Sequence, residues 1–234
     1  MRKPWNGKAE GIGLEAFKAS VPVLLGYVTI GFGFGLLAVN AGYPAWFSLA
    51  MSVFVFAGAA QYIGIGLFAA GASIPEIVLI TLVANIRHAV YGLSLIGTYA
   101  RHPRIRPYLV FALTDETYAL ISSARAEQRA DGSFLLLVSA LDQAYWVIGT
   151  ALGALAGSLI PYKVEGLGFA LTAMFIVLGV EQILKLKKAF PVLIAAATTI
   201  GAKMLAGDRL TIVLGLAAAI LFTLPLAGKR KPYA

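Results

Sequence analysis

Apolar residues run along this chain in blocks of at least about 17, the length at which a helix crosses the hydrocarbon core of a bilayer. Eight blocks are read in this way: Ala19 to Val39, Ala45 to Ala70, Ser73 to Tyr99, Pro107 to Ser123, Ser133 to Ile160, Gly166 to Leu186, Ala189 to Ala206 and Leu210 to Leu226. Connections such as Asn40-Ala41-Gly42-Tyr43-Pro44 and Gly207-Asp208-Arg209 are too short to hold a folded domain. The pattern predicts an all-α polytopic membrane protein with about seven or eight hydrophobic helical segments. Residues 1–234 then form a single transmembrane domain, with a basic N-terminal segment at 1–18 and a basic tail at 227–234.

Small residues punctuate two of the blocks at helical spacing. Gly31, Gly33 and Gly35 lie in the first, and Gly149, Gly153 and Gly157 in the fifth. Glycines four apart share a helix face and let another helix approach closely, so these six are read as packing positions. A nucleotide-binding loop is excluded for the first run, which follows no strand and lacks a downstream acidic partner. At one constant offset Tyr27, Ile30, Gly31, Gly35, Leu37 and Ala38 match Tyr145, Ile148, Gly149, Gly153, Leu155 and Ala156. At neighbouring offsets Phe54, Gly58 and Gln61 match Phe175, Gly179 and Gln182, and Pro75 and Arg87 match Pro191 and Lys203. The matches suggest a two-fold internal repeat, segments one to three against five to seven, an arrangement used by secondary transporters that bind substrate between their halves.

Composition agrees with the pattern. Hydrophobic residues make up 59% and charged residues 13% of the 234 positions, and mean hydropathy is +0.83, more apolar surface than a soluble domain can bury. The net charge of +8 sits mostly in connections, as positively charged cytoplasmic loops require, and not on a nucleic-acid surface. Both termini are expected on the cytoplasmic side of a cell membrane, although the Arg101-Arg104-Arg106 loop then falls outside. The N-terminal stretch reads as no cleaved signal peptide. There is no cysteine, which excludes disulfides and thiolate chemistry.

The chemistry lies where charge interrupts the apolar blocks. Asn85, Arg87 and His88 sit near the middle of the third block, and Asp115 and Glu116 in the fourth. A charged residue at the centre of a span costs about 2.5 to 3.5 kcal/mol on insertion scales, so pairing or function must offset it. Arg87 and Asp115 fall at similar depth and are positioned to pair. Neutralisation accounts for one carboxylate; the surplus acid and His88 suit a proton-coupled or zwitterion-binding site. On an unbroken helix Asn85 and Arg87 point about 200° apart. If both face one cavity the third segment must break near 84–89, and that break is expected. Gln61 and Tyr91 complete the polar end of the candidate substrate site, with Phe32, Phe34 and Phe54 as apolar wall. Asp142, Gln182 and Lys203 are secondary candidates. No catalytic residue, metal site or cofactor is expected.

Gly31-Phe32-Gly33-Phe34-Gly35-Leu36-Leu37-Ala38, Phe56-Ala57-Gly58-Ala59-Ala60-Gln61, Asn85-Ile86-Arg87-His88 with Tyr91-Gly92, and Thr114-Asp115-Glu116 occur in an order and spacing that resembles the AzlC family. These are the large subunits of branched-chain amino acid exporters. The resemblance implies export of leucine, isoleucine, valine and methionine, and a small AzlD-type membrane subunit as partner. Absence of a phosphate-binding Gly-x-x-x-x-Gly-Lys-Ser/Thr loop favours secondary, proton-motive-force-linked transport over ATP hydrolysis by this chain. A passive channel for a small polar solute is the alternative. No enzymatic activity and no nucleic-acid partner are expected, and a homo-oligomer is compatible with the sequence.

Overall fold

The computed structural model describes residues 9–159 and 193–205, with isolated positions at 176, 180, 214, 218 and 221. Regular structure among the described residues is helical throughout: α1 (Ala9–Asn40), α2 (Ala45–Phe54), α3 (Gly58–Ala69), α4 (Ile74–Tyr99), α5 (Arg106–Phe111), α6 (Asp115–Ser123), α7 (Ala126–Ala130), α8 (Gly132–Leu159) and α9 (Leu193–Leu205). By length and composition α1, α4 and α8 are able to cross a membrane, while α2, α3 and α9 are apolar but shorter. The chain divides into two compact units, Met1–Ser73 with Thr81–Gly168, and Ile74–Ile80 with Phe169–Ala234. The first holds every site residue described below except Lys203. Apart from those isolated positions, segments six and eight lie outside the described residues, Gln182 among them.

The third segment corrects one expectation. α4 runs unbroken from Ile74 to Tyr99, through the 84–89 stretch where an interruption was predicted. That stretch holds neither glycine nor proline, and a single charged side chain can leave a helix without unwinding it. The interruptions fall in the neighbouring segments instead. The second segment breaks between α2 and α3, where Phe56 takes a left-handed φ of 40°. For a bulky non-glycine residue this costs on the order of 1–3 kcal/mol and survives only where surrounding contacts hold it. The fourth segment breaks between α5 and α6, at Ala112-Leu113-Thr114.

The core of the first unit is the seam between α1 and α8, and glycine makes it possible. A methyl group on Gly31 would stand 2.8 Å from the Trp146 carbonyl oxygen, and one on Gly149 would stand 2.6 Å from that of Val28. A methyl on Gly35 would strike the Thr150 carbonyl oxygen, and one on Gly153 that of Phe32. Gly157 faces Leu36 and Val39. Gly33 lies off this seam, against the Tyr62 hydroxyl, which donates to the Ile30 carbonyl at 2.7 Å. Backbone is thus packed on backbone, which in lipid replaces the hydrophobic drive that water supplies to soluble cores. Segments one and five, paired in the proposed repeat, meet through their matching glycines.

A second apolar cluster joins Ile12 and Ala16 of α1 to Leu95 and Tyr99 of α4, Leu109 of α5, Leu113 of the break, Ile121 of α6, and Phe134, Leu135 and Val138 of α8. It ties the broken fourth segment between α4 and α8. At the end of that segment Arg125 and Gln128 both reach Glu15 Oε2, at 2.5 and 2.7 Å, which anchors α7 to the start of α1.

Candidate functional site

The first turn of α6 organises the polar residues. Thr114 caps the helix by accepting a hydrogen bond from Thr117 N at 3.2 Å, and Asp115 and Glu116 follow immediately. Threonine as N-cap satisfies an amide left free by the break, and acids in the first turn complement the positive end of the helix dipole. Because successive helical residues diverge by about 100°, the two carboxylates enter different environments.

Asp115 faces α4. Its Oδ2 lies 2.8 Å from Arg87 Nη2, with both side chains about one third exposed, at 31% and 33%. Asp115 Oδ1 and Arg87 Nε are buried without hydrogen-bond partners among the described residues. The contact thus joins one guanidinium nitrogen to one carboxylate oxygen and leaves Nε and Oδ1 available to another partner. His88 and Tyr91, on the same stretch of α4, lie within the field of Asp115, and Tyr91 stacks on Tyr118 of α6 with ring centroids 4.4 Å apart. Asn85 does not join them as expected. With α4 intact it projects about 200° from Arg87, and its Oδ1 is buried without a partner among the described residues.

Glu116 faces α1. Tyr27 Oη lies 2.6 Å from Glu116 Oε2 and also 2.6 Å from Thr114 Oγ1. Thr114 Oγ1 is 3.0 Å from Thr117 Oγ1, and Thr117 donates to Asp142 Oδ2 at 2.7 Å. Two carboxylates on different helices are thus joined by three hydroxyl groups in unbroken sequence. Thr117 and Asp142 are fully buried, and Thr114 and Tyr27 nearly so. Asp142 Oδ1 has no hydrogen-bond partner among the described residues.

Gln61 belongs to a third arrangement. It is fully buried on α3 and donates to Ser52 at 3.1 Å; Ser52 in turn lies 2.8 Å from Thr150 of α8. Its Oε1 is buried and unpartnered among the described residues. Phe34 is wholly buried between Tyr62 and Trp146, with centroids at 5.6 and 6.5 Å, and Tyr27 meets Trp146 edge-on at 5.4 Å. Phe54 and Phe32, expected with Phe34 as apolar wall, are 77% and 38% exposed, whereas Phe34 packs against aromatic residues of α3 and α8. Lys203 is exposed on α9 in the second unit.

Sequence reasoning named Asp142 but missed Thr117 as its partner and Tyr27 as the link onward to Glu116. The signal for the break was present in Thr114-Asp115-Glu116, an N-cap followed by two first-turn acids. Gln143, which the sequence places with Asp142 and Trp146 toward either the site or the interface, donates to the Val53 carbonyl at 3.0 Å beside the α2–α3 break and accepts from the Tyr108 hydroxyl at 2.8 Å.

A family model described as AzlC protein matches residues 22–160. A membrane protein of Helicobacter pylori is 39% identical over 169 residues, covering 72% of this chain and 74% of that one. The branched-chain amino acid transport protein AzlC of Bacillus subtilis is 31% identical over 201 residues, 85% of this chain and 79% of its own. Inner membrane protein YgaZ of Escherichia coli is 31% identical over 170 residues, 69% of each chain. No solved structure matches the chain.

Proposed function

The chain belongs to the AzlC family, and on that premise we propose that it exports branched-chain amino acids across the cell membrane by a secondary, proton-motive-force-linked mechanism, working with a small AzlD-type membrane subunit. The carrying observation is the half-satisfied Arg87–Asp115 pair on a helix long enough to span. An amino acid is itself an ion pair. Its carboxylate can replace Asp115 on Arg87 while its ammonium replaces Arg87 on Asp115, so the pair opens around cargo and no charge is left alone in lipid. Glu116, one residue on, offers the ammonium a second carboxylate. His88 and Tyr91 border the pair as polar groups that orient the zwitterion.

Asn85 is released from the carboxylate site by the continuity of α4, and Gln61 serves the deeper network on α3. Leucine, isoleucine, valine and methionine share an apolar side chain, for which the aromatic surface of Phe34, Tyr62 and Trp146 is the nearest chemical match. Efflux of leucine from dipeptide-loaded cells tests the site. An Arg87→Ala protein inserted at the normal level should lose export, and wild-type efflux from that variant would sink the assignment. Single-channel conductance in planar bilayers would instead support the passive-channel alternative.

A further inference from the structure

We propose that Asp142 binds the coupling proton and that Thr117, Thr114 and Tyr27 report its protonation to Glu116 by reversing the direction of their hydroxyl groups. The proposal rests on the transport reading above and supplies the step that links proton and cargo.

Asp142 is wholly buried, accepts one hydrogen bond, from the neutral Thr117 hydroxyl, and has its second oxygen unpartnered among the described residues. A carboxylate taken out of water with so little compensation demands a positive charge. Arg87 is engaged with Asp115, and the charged group acting on Asp142 is the carboxylate of Glu116. Among the described residues no group of three acids or imidazoles surrounds Asp142 to hold a metal ion, whereas a proton needs no ligand shell. The titratable groups acting on it are Tyr27 from α1, Tyr108 from α5 and Glu116 from α6. α2 carries no titratable side chain, and Arg125 of α7 is paired with Glu15.

Tyr27 has one hydroxyl proton and two acceptors at the same 2.6 Å, Thr114 and Glu116. When Asp142 is ionised, the hydroxyls align toward it: Tyr27 donates to Thr114, Thr114 to Thr117, and Thr117 to Asp142. Glu116 then receives nothing from Tyr27, and two negative charges face each other across the chain. A substrate ammonium supplies what both lack. When a proton enters at Asp142, its O–H donates to Thr117 and the row reverses, so that Thr117 donates to Thr114, Thr114 to Tyr27, and Tyr27 to Glu116. Each hydroxyl keeps one proton throughout; the only proton gained is the one on Asp142. Glu116 now holds a charge-assisted hydrogen bond and binds ammonium less well. Proton and cargo exclude each other, which is the requirement for export in exchange for an entering proton.

The test uses the full chain in lipid vesicles and infrared difference spectroscopy of the protonated-carboxyl C=O stretch. Wild type should show a buried carboxyl band that leucine diminishes as a proton is released. Asp142→Asn should remove the band and reduce leucine-triggered proton release at least tenfold, measured on protein that remains monodisperse. Tyr27→Phe should keep the band and make it unresponsive to leucine. A band that persists in Asp142→Asn, or a Tyr27→Phe band that still follows leucine, overturns the proposal. A band that Asp142→Asn removes but that never responds to leucine in wild type leaves the proton site standing and defeats the leucine reading.

Discussion

Asp115 and Glu116 are adjacent in sequence and share the first turn of α6, yet they serve unlike surroundings. Asp115 meets a permanent cation at a partly exposed boundary with α4; Glu116 meets a phenol and leads through two threonines to the buried Asp142. An ion pair is held by charge and yields to another ion pair, which suits exchange with a zwitterion. A hydroxyl chain is held by direction, since each O–H donates once, and it suits transmission of a protonation state. On the proposed reading, one capped helix end distributes two functions through the 100° step between consecutive residues.

The largest expected effect strikes the ion pair. Arg87→Ala leaves Asp115 without its cation; in a fully buried pair such truncation costs about 2–5 kcal/mol, and this pair, one third exposed, belongs at the lower end. Leucine efflux should fall on the order of a hundredfold, equivalent to about 2.7 kcal/mol. Arg87→Lys should recover part of it, because a point charge replaces one contact but not the guanidinium geometry. If Arg87→Ala and Arg87→Lys export equally, the cation has no part in recognition.

The seam between α1 and α8 sharpens the contrast from the other side. Gly153→Ala places a methyl group against the Phe32 carbonyl and must part the two helices. Overpacking of this kind costs about 1–3 kcal/mol, readable as a lower unfolding temperature in detergent. The hydroxyl chain runs from α1 to α8 and should be lost with the seam, while the α4–α6 ion pair should persist. Leucine-triggered proton release would then fall more than leucine binding does. An equal loss of both would show that the two clusters are one structural unit.

Much of this was legible in the residues themselves. The matched depth of Arg87 and Asp115 anticipated their pairing, and the glycine spacing anticipated a close helix seam, because both follow from local periodicity. The break expected at 84–89 was inferred by requiring Asn85 and Arg87 to share a cavity, and α4 stays whole because they do not. The actual breaks are stabilised by remote residues. Gln143 of α8 takes the Val53 carbonyl, and the strained Phe56 packs edge-on against Tyr27 of α1. No window of sequence around Phe56 contains those partners. Tyr27 itself reads as one aromatic residue among many until folding brings α6 beside it.

Capping supplies a smaller effect. Thr114→Ala removes both the N-cap acceptor and the middle link of the hydroxyl chain. A lost cap costs about 1 kcal/mol in stability. Thr114→Ser retains both roles and should stay within a few tenths of a kcal/mol of the parent. The pair separates capping from conduction. Stability lost with proton release intact would reduce Thr114 to a helix cap.

The smallest effect is a null that carries the comparison. Without leucine, Arg87→Gln and Tyr27→Phe disturb clusters that share no hydrogen bond, and their stability changes should add to within about 0.5 kcal/mol. Arg87→Gln and Asp115→Asn share one and should show a coupling of 0.5–3 kcal/mol by the same measurement, as groups in direct contact do (roughly). Saturating leucine should change the first result, because the ammonium that replaces Arg87 on Asp115 also reaches Glu116 in the proposed binding mode and so connects the two carboxylates. Non-additivity that appears only with leucine would identify cargo as the physical link between ion pair and hydroxyl chain. Coupling already present in its absence would mean that the protein backbone of α6 carries the message and that the substrate merely reads it.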